Sequence, residues 1–273
     1  MNTSLDLNID VNLLLNKISN LEKKNRELKI NQSFNIYILY VDDKLIYKGN
    51  YKDGKRNGYG NEFCKNGKLM YDGEFKNDEY NGKGKYYLDN GNVMYEGEFK
   101  NDKYNGKGKY YLDNGKLIYS GEFKNDEYCG KGKYYFLNNE YYEGDFKEDH
   151  FYGSGKYFKN DKLIYKGEFK NDHYDGYGKQ YSTSGELIYK GGFKNDEYCG
   201  HGKYFENGNL IYNGEFKNDE YNGYGKYFEN GNLIYIGEFK NDEYNGYGKL
   251  YSTNGIIVHD GGFNNGEIIN SDE

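Results

Sequence analysis

A five-residue motif, Tyr-x-Gly-x-Phe, recurs along most of this chain and limits its fold more than any other feature. Successive motifs start 23 or 24 residues apart, which gives nine complete repeats and a truncated tenth. A fixed period of this length indicates a repeat protein, in which each repeat packs mainly on its neighbours. The motif begins at Tyr71, Tyr95, Tyr119, Tyr142, Tyr165, Tyr189, Tyr212 and Tyr235, with variants at Tyr47, where Tyr51 replaces Phe, and at His259, which replaces Tyr.

Each repeat predicts a β-hairpin. Alternate residues from Leu69 to Phe75 share one side of a strand, because side chains alternate across a strand with period 2. The segment Asn77–Gly82 is rich in residues that reverse a chain and is predicted to form a turn. A second strand follows at residues 83–88, and the chain reverses again at Asp89–Gly91. Every repeat therefore predicts two antiparallel strands.

Some positions do not vary among the repeats. Gly73, Gly82 and Gly84 have a glycine counterpart in every complete repeat, and the counterpart of Phe75 is always aromatic. Glycine weakens a strand, so we expect an aromatic ring from a neighbouring strand to cover this bare backbone. The alternation is less regular in the second strand, and some repeats are one residue shorter near the second turn. These irregularities predict a β-bulge in the second strand.

These residues resemble the MORN (membrane occupation and recognition nexus) repeat proteins. A MORN repeat has a Tyr-x-Gly start, an aromatic residue two positions later, a turn, and Gly-x-Gly at the opening of the second strand. The segment Tyr47–Gly60 is the most similar, and the resemblance extends to Phe263. The later repeats have Asn-Asp-Glu-Tyr where the family usually has Asn-Gly-Lys-Arg. The resemblance implies a member that consists of repeats without an attached enzyme domain.

The predicted fold is all-β, an elongated single-layer antiparallel β-hairpin repeat ladder with a short N-terminal α-helix. About twenty strands at about 4.8 Å per strand give a length of roughly 90–100 Å. The chain has 39 Gly and no Pro, which suits a continuous ladder because Pro cannot donate a hydrogen bond to it. The predicted regions are the helix at 1–33, the repeat array at 34–263 (a half-repeat at 34–46, nine repeats from Tyr47 and a partial tenth from His259), and a frayed acidic tail at 264–273.

Residues 5–30 carry a different pattern, with apolar side chains at coiled-coil spacing. One interpretation is a parallel dimer, in which Asn25 at a buried position fixes the register. The other is an amphipathic helix that covers the apolar edge segment Ile36–Tyr47 of its own sheet. The residues of the predicted seam are Leu7, Val11, Leu14, Ile18, Leu21, Asn25 and Leu28.

The sequence predicts no enzyme, no metal site and no cofactor. His150 and His173 occupy equivalent turn positions in consecutive repeats. Two strands at about 4.8 Å spacing separate them by roughly 10 Å, which is too far to share a zinc ion. Cys64, Cys129 and Cys199 are expected to be free thiols in a reducing compartment. No nucleophile and base fall into one pocket, since the His and Cys residues lie in turns of a repeating pattern.

The charge pattern bears on the partners. The net charge is −7 and the pI is about 5.3, which argues against nucleic acid as a ligand. No signal peptide or membrane-spanning helix is predicted. The first hypothesis is a cytoplasmic, non-catalytic scaffold that binds protein partners along an extended aromatic and charged β-face. The alternative is a peripheral membrane module that binds anionic phosphoinositides, an activity proposed for the family, through Lys83, Lys85, Lys107, Lys109, Lys131 and Lys133.

Overall fold

The structure is a computed structural model, and it describes residues 26–31 and 36–269. These residues contain 22 β-strands and no helix. The strands are β1 (Arg26–Asn31), β2 (Ile36–Val41), β3 (Lys44–Lys52), β4 (Lys55–Phe63), β5 (Leu69–Lys76), β6 (Glu79–Tyr87), β7 (Val93–Lys100), β8 (Lys103–Tyr111), β9 (Leu117–Lys124), β10 (Glu127–Tyr135), β11 (Glu140–Lys147), β12 (His150–Lys159), β13 (Lys162–Lys170), β14 (His173–Tyr181), β15 (Leu187–Lys194), β16 (Glu197–Glu206), β17 (Asn209–Lys217), β18 (Glu220–Glu229), β19 (Asn232–Lys240), β20 (Glu243–Tyr251), β21 (Ile257–Asn264) and β22 (Glu267–Ile268).

The chain divides into two compact units, with the boundary between Cys129 and Gly130. In the first unit, each strand pairs antiparallel with the next strand along the chain. The second unit follows the same rule up to β22. Each unit is therefore built from consecutive antiparallel hairpins, and the prediction of an all-β hairpin-repeat fold is confirmed.

The turn inside each hairpin is shorter than the sequence suggests. Asn77 and Asp78 have φ angles of 53° and 76°. Two consecutive residues with positive φ form a type I′ turn, whose twist matches that of the two strands it joins. The remaining residues of the predicted turn, from Glu79 onward, belong to β6. The prediction of a six-residue turn is wrong, and Tyr80 lies in the sheet.

Two bulges shift the register in the repeat that starts at Tyr71. A register shift is present at the end of the second strand, between Tyr86 and Tyr87, but its extra residue, Met94, lies in β7 rather than in the second strand as predicted. Another register shift lies between Gly73 and Phe75, where β5 pairs with β6. On the strand opposite this second shift, Gly82 has a φ of 102°, a conformation that side chains rarely adopt. This backbone angle explains why the position is glycine in every complete repeat.

The core of each repeat is a set of aromatic rings on one face of the sheet. The Tyr71 ring stacks on Tyr80 with 3.8 Å between ring centroids and meets the edge of Phe75 at 5.1 Å. Phe99 from the next repeat closes the cluster at 5.2 Å. A single repeat cannot complete this cluster, because one of its rings comes from the neighbour. The leading tyrosines of the nine complete repeats are at most 1% exposed: Tyr47, Tyr71, Tyr95, Tyr119, Tyr142, Tyr165, Tyr189, Tyr212 and Tyr235.

A row of glycines crosses each sheet beneath these rings. Gly73 in β5 pairs with Gly84 in β6, and Gly84 pairs with Gly97 in β7. The Tyr71 hydroxyl donates to the carbonyl oxygen of Glu74 at 3.0 Å, and its ring lies against both Gly73 and Gly84. The prediction that a ring covers the glycines is confirmed, with one difference. The ring comes from a neighbouring strand only for Gly84, since Gly73 and Tyr71 share β5.

Both ends of the array differ from the prediction. Residues 26–31 form β1, which pairs with β2 in a register that sets Leu28 opposite Leu39. The predicted helix is therefore wrong for these residues, because a strand can satisfy the unpaired backbone groups of the β2 edge. At the other end, β22 pairs with β21, and the Ile269 N–H donates to the Gly262 carbonyl at 2.9 Å. Fraying from residue 264 is thus also wrong as far as Ile269.

The other residues of the predicted seam lie outside the described residues, as do 270–273. These seam residues are Leu7, Val11, Leu14, Ile18, Leu21 and Asn25.

Candidate binding face

The face of the sheet opposite the buried rings is called the outer face here. In the repeat that starts at Tyr71, it carries Asp72 and Glu74 from β5 and Lys83, Lys85 and Tyr87 from β6. Period-2 alternation places these side chains away from Tyr71 and Phe75. The outer face of every repeat therefore carries charged side chains beside an aromatic residue.

The predicted lipid-contacting lysines of the first unit lie on the outer face opposite carboxylates. Lys83 pairs with Glu98 in the register of β6 and β7. The Lys85 Nζ is 3.2 Å from Glu96 Oε1, and this hydrogen bond raises the pKa of Lys85 above its ordinary value. The other two lysines of this group follow the same pattern: Lys107 is opposite Glu122, and Lys109 lies between Glu96 and Ser120.

The two remaining lysines of the prediction belong to the second unit. The Lys131 Nζ is 2.5 Å from Asp145 Oδ1. Lys133 is opposite Glu143, and its Nζ lies 3.7 Å from the centre of the Tyr141 ring. Each of these lysines, like those of the first unit, has a carboxylate opposite or beside it, so their charges are largely offset locally.

A different set of lysines forms a line on the outer face of the second unit, and only the first of them has a carboxylate directly opposite it. We call these five residues the lysine row: Lys156, Lys166, Lys179, Lys190 and Lys203. Each one is directly opposite the next across the five strands β12 to β16. Neighbouring strands are about 4.8 Å apart, so the row is about 19 Å long. No ion pair or side-chain hydrogen bond joins any of the five to another residue in the part of the chain that is described.

The lysine row has an exposed tyrosine on one side and a line of aromatic and apolar side chains on the other. On one side, Tyr177 is 51% exposed and lies two residues before Lys179 on the same face. On the other side runs a line of half-buried residues, which we call the apolar stripe. Stacking of Phe158 on Tyr141, at 4.5 Å between ring centroids, marks the start of this line on the outer face. The apolar stripe consists of Phe158 with Leu163 opposite it, Tyr181 with Leu187 opposite it, and Phe205.

Two carboxylates of the same face lie next to the row: Glu143 is directly opposite Lys156, and Glu168 is used by the backbone. Glu168 is opposite Ser154, one line away from the lysine row. Its Oε1 accepts a hydrogen bond from the Tyr177 N–H at 3.4 Å, next to the bulge glycine Gly176. Like charges directly opposite each other destabilise a sheet, so the lysine row is an electrostatic cost that a directly opposite carboxylate, Glu143, offsets only at Lys156.

The turns at one edge of the sheets carry a second set of contacts that connect neighbouring repeats. Asp102 Oδ1 accepts a hydrogen bond from the Tyr80 N–H at 2.7 Å, and the Asp102 N–H donates to the Tyr80 carbonyl at 3.1 Å. The same pair of bonds recurs between Tyr104 and Asp126. Each turn aspartate therefore holds the backbone of the preceding hairpin as well as forming its own turn.

Two histidines extend this pattern of turn contacts in the second unit. His150 Nδ1 is 2.6 Å from Asp172 Oδ2, and His173 Nδ1 is 2.5 Å from Asp196 Oδ2. The hydrogen bond to the carboxylate raises the pKa of each histidine above its ordinary value. Among the described residues, no group of three or more His, Cys, Asp or Glu is placed to hold a metal ion. Each histidine is thus the partner of a turn aspartate.

Neither the cysteines nor the strands add a further kind of site. Cys64, Cys129 and Cys199 are free thiols, as the sequence predicts. Within residues 26–31 and 36–269, no helix is long and apolar enough to cross a membrane.

The lysine row was not predicted from the sequence. Its members are 10 to 13 residues apart along the chain and have no shared local motif. Only the cross-strand register, which depends on the bulges, brings them into line. The sequence pattern instead predicts the lysines of the Gly-Lys-Gly-Lys segments, which are close together along the chain. A signal for the row exists in the second unit, where Lys166 and Lys190 replace the acidic residue found at the equivalent position in Asp72 and Glu96.

Consecutive hairpins, a one-sided aromatic core and a row of glycines define a β-hairpin repeat protein. The family model of the MORN repeat matches nine segments of the chain, at residues 47–68, 71–93, 95–116, 119–140, 142–162, 165–186, 189–210, 212–233 and 235–257. The chain belongs to the MORN-repeat family. A search of curated proteins finds no match to it.

Proposed function

We propose that this protein is a non-catalytic scaffold that binds protein partners along the outer face of its repeats. The observation that carries the proposal is that aromatic residues are buried on one face of the sheet and exposed on the other. The leading tyrosine of each complete repeat and the phenylalanine that follows it, such as Phe75, are buried in the core, whereas Tyr177 and Tyr224 of the outer face are 51% and 54% exposed. Repeat surfaces of this kind commonly serve as extended binding sites.

The non-catalytic part of the proposal rests on the repetition itself. A catalytic site needs a unique arrangement of a nucleophile, a base and a pocket. Here the titratable side chains recur at the same place in successive repeats, as His150 and His173 do beside Asp172 and Asp196. We place the protein in the cytoplasm, and the three free thiols fit a reducing compartment.

We further propose that the N-terminal segment makes the scaffold a dimer. In the competing interpretation, this segment is a helix that covers the edge of the sheet. However, β1 already pairs with that edge. The heptad positions before β1 are then available for a parallel coiled coil. Light scattering on the full chain and on a chain that begins at Arg26 tests this point, because the shorter chain keeps β1.

The expected result is a mass that corresponds to a dimer for the full chain and to a monomer for the shorter one. Leu14→Glu, at a seam position, should also give the monomer. Asn16→Glu is the matched control, because residue 16 falls on the outer side of the predicted heptad. A monomeric full chain would refute the dimer and leave the scaffold proposal intact.

The scaffold itself is tested by proximity labelling with the full chain, followed by reconstitution of binary complexes from purified proteins. A complex that forms should weaken when Tyr177 and Tyr224 are replaced by Ala, since both side chains are exposed on the outer face. Thr183→Ala in an exposed loop is the control. Sedimentation with phosphoinositide vesicles runs in parallel at low and high salt. Salt-sensitive vesicle binding without any binary protein complex would contradict the scaffold and favour the membrane alternative.

A further inference from the structure

The lysine row has a property that the stability of the fold does not explain. Four consecutive cross-strand pairs in this row are Lys–Lys pairs. At the equivalent place in the first unit, Lys85 is opposite Asp72 on one side and Glu96 on the other. The same repeat architecture therefore accepts a stabilising pair at this position, and the second unit has the destabilising one instead.

We propose that the lysine row binds an extended acidic segment of a partner protein. This inference rests on the proposed scaffold function and names the kind of partner. An anion lying on the row would offset the repulsion between neighbouring lysines and gain five cationic contacts. Lys166, Lys190 and Lys203 are exposed and so can reach such a ligand without a change in the sheet.

The neighbouring apolar stripe adds a second requirement for the ligand. Phe158, Tyr181 and Phe205 each lie two residues after a member of the lysine row, on the same face. An extended segment that follows the boundary between the two lines presents alternate side chains to each of them. At about 3.3 Å per residue, about six residues cover the 19 Å row, which is about four strand spacings long. The matching sequence alternates acidic and apolar residues.

The charge around the row favours a narrow ligand over a bilayer. Residues 150–206, which form the five strands, contain nine Lys and eight Asp or Glu. A membrane lies over the whole face and senses charges within a screening length of about 10 Å, so it meets this segment as nearly neutral. A single extended chain can contact the lysines and avoid the carboxylates beside them, such as Glu168. Nucleic acid fits less well, because its binding surfaces are usually basic over a wide area.

Fluorescence anisotropy with short labelled peptides tests the proposal on the full chain. The probe is an eight-residue Glu-Leu alternating peptide, with the Glu-Ser and Lys-Leu alternating peptides of the same length for comparison. We expect salt-dependent binding of the Glu-Leu peptide, weaker binding of the Glu-Ser peptide, and no binding of the Lys-Leu peptide. Equal binding of the Glu-Leu and Lys-Leu peptides would overturn the assignment, because charge would then play no part.

Two triple variants with the same change in net charge locate the site. Lys166→Gln, Lys190→Gln and Lys203→Gln together should weaken binding of the Glu-Leu peptide at least tenfold. Lys85→Gln, Lys107→Gln and Lys109→Gln together remove lysines that already face carboxylates or serine, and should change binding less than twofold. Circular dichroism checks that both variants remain folded. An equal loss in the two variants would mean that binding follows net charge alone and would overturn the proposal.

Two further probes separate other occupants. Phosphatidylserine vesicles and a single-stranded twelve-nucleotide oligothymidine are tested against the full chain and the two variants. If binding of the vesicles or of the oligothymidine depends on Lys166, Lys190 and Lys203 while the Glu-Leu peptide does not bind, the row has a different ligand and the proposal is wrong. The scaffold function fails separately: a purified partner complex that is unaffected by the row variant keeps the scaffold and removes this site.

Discussion

The hydroxyl of Tyr71 lies over the backbone of Gly84 on the adjacent strand, so closely that an added Cβ would be 2.3 Å from the hydroxyl oxygen. The ring atoms Cζ and Cε2 would be 2.5 and 2.7 Å away. The ring cannot move aside, because Tyr80 stacks on it and Phe75 and Phe99 hold its edges. The glycine and the tyrosine are therefore required together.

Gly84→Ala should destabilise the first unit by about 1–3 kcal/mol, the usual cost of forcing extra atoms into a packed core. Thermal unfolding of the full chain measures the effect. Gly262→Ala is the control, because it is also a strand glycine, and the three atoms nearest its added Cβ would all belong to the Ile269 side chain, at 3.3 Å or more. We expect the control to change the midpoint much less. A loss of equal size in the two variants would show that glycine is retained for some reason other than the tyrosine ring.

The sequence predicts the parts of this fold that depend on a single strand. Alternation from Leu69 to Phe75 identifies the buried Tyr71 and Phe75, and the invariant glycines indicate a ring over the backbone. The position of Tyr80 could not be predicted in the same way. It lies between turn-favouring residues, Asn77 and Asp78 before it and Asn81 and Gly82 after it, and only the two-residue type I′ geometry of Asn77 and Asp78 places it in the strand.

The sequence pattern could not predict features that depend on how one strand or repeat contacts another. The lysine row requires the register of five strands, and each register is shifted by bulges. The bonds from Asp102 to Tyr80 join residues 22 positions apart. The recurrence of Asp at this turn position is the one sign of them in the sequence, and it is equally well explained by the turn alone. Strand β1 was missed because one of its apolar residues, Leu28, also continues the heptad of the preceding residues.

Asp102→Ala should destabilise the contact between neighbouring repeats. The change removes the acceptor of the Tyr80 N–H and places Ala at a φ of 64°, and together these cost about 1–2 kcal/mol. Asp102→Asn is the matched control, since it keeps a side-chain oxygen and tolerates positive φ. Hydrogen exchange at the Tyr80 amide reports on the bond directly. The interpretation fails if this amide exchanges at the same rate in the Ala and Asn variants.

Lys190→Gln should stabilise the protein, which is unusual for a change at a surface residue. Lys190 is opposite Lys179 on one side and Lys203 on the other, so its removal relieves about 0.2–1 kcal/mol of repulsion at low salt. Lys85→Gln is the control and should lower the unfolding midpoint, because it breaks the ion pair with Glu96. Both shifts of the unfolding midpoint should be smaller in 1 M salt, where the screening length falls to about 3 Å. A lower midpoint for Lys190→Gln would contradict the description of the row as repulsive.

Asp172→Asn should make the stability of the second unit less dependent on pH. The Asp172 carboxylate raises the pKa of His150 in the folded chain above its ordinary value of about 6.5. A raised folded pKa gives stability that is complete below the unfolded value and is lost as the pH rises through the folded value. The free energy of unfolding should therefore rise more for the wild-type chain than for the variant when the pH falls from 9 to 5.5. The Phe151 N–H donates to Asp172 Oδ1 at 2.8 Å, and Asn keeps an oxygen for this bond, so the backbone contact is preserved.

NMR titration gives the direct measurement. The pKa of His150 should fall in this variant, and the pKa of His173, whose main partner is Asp196, should move much less. Unchanged titration of His150 would mean that the contact with Asp172 does not persist in solution.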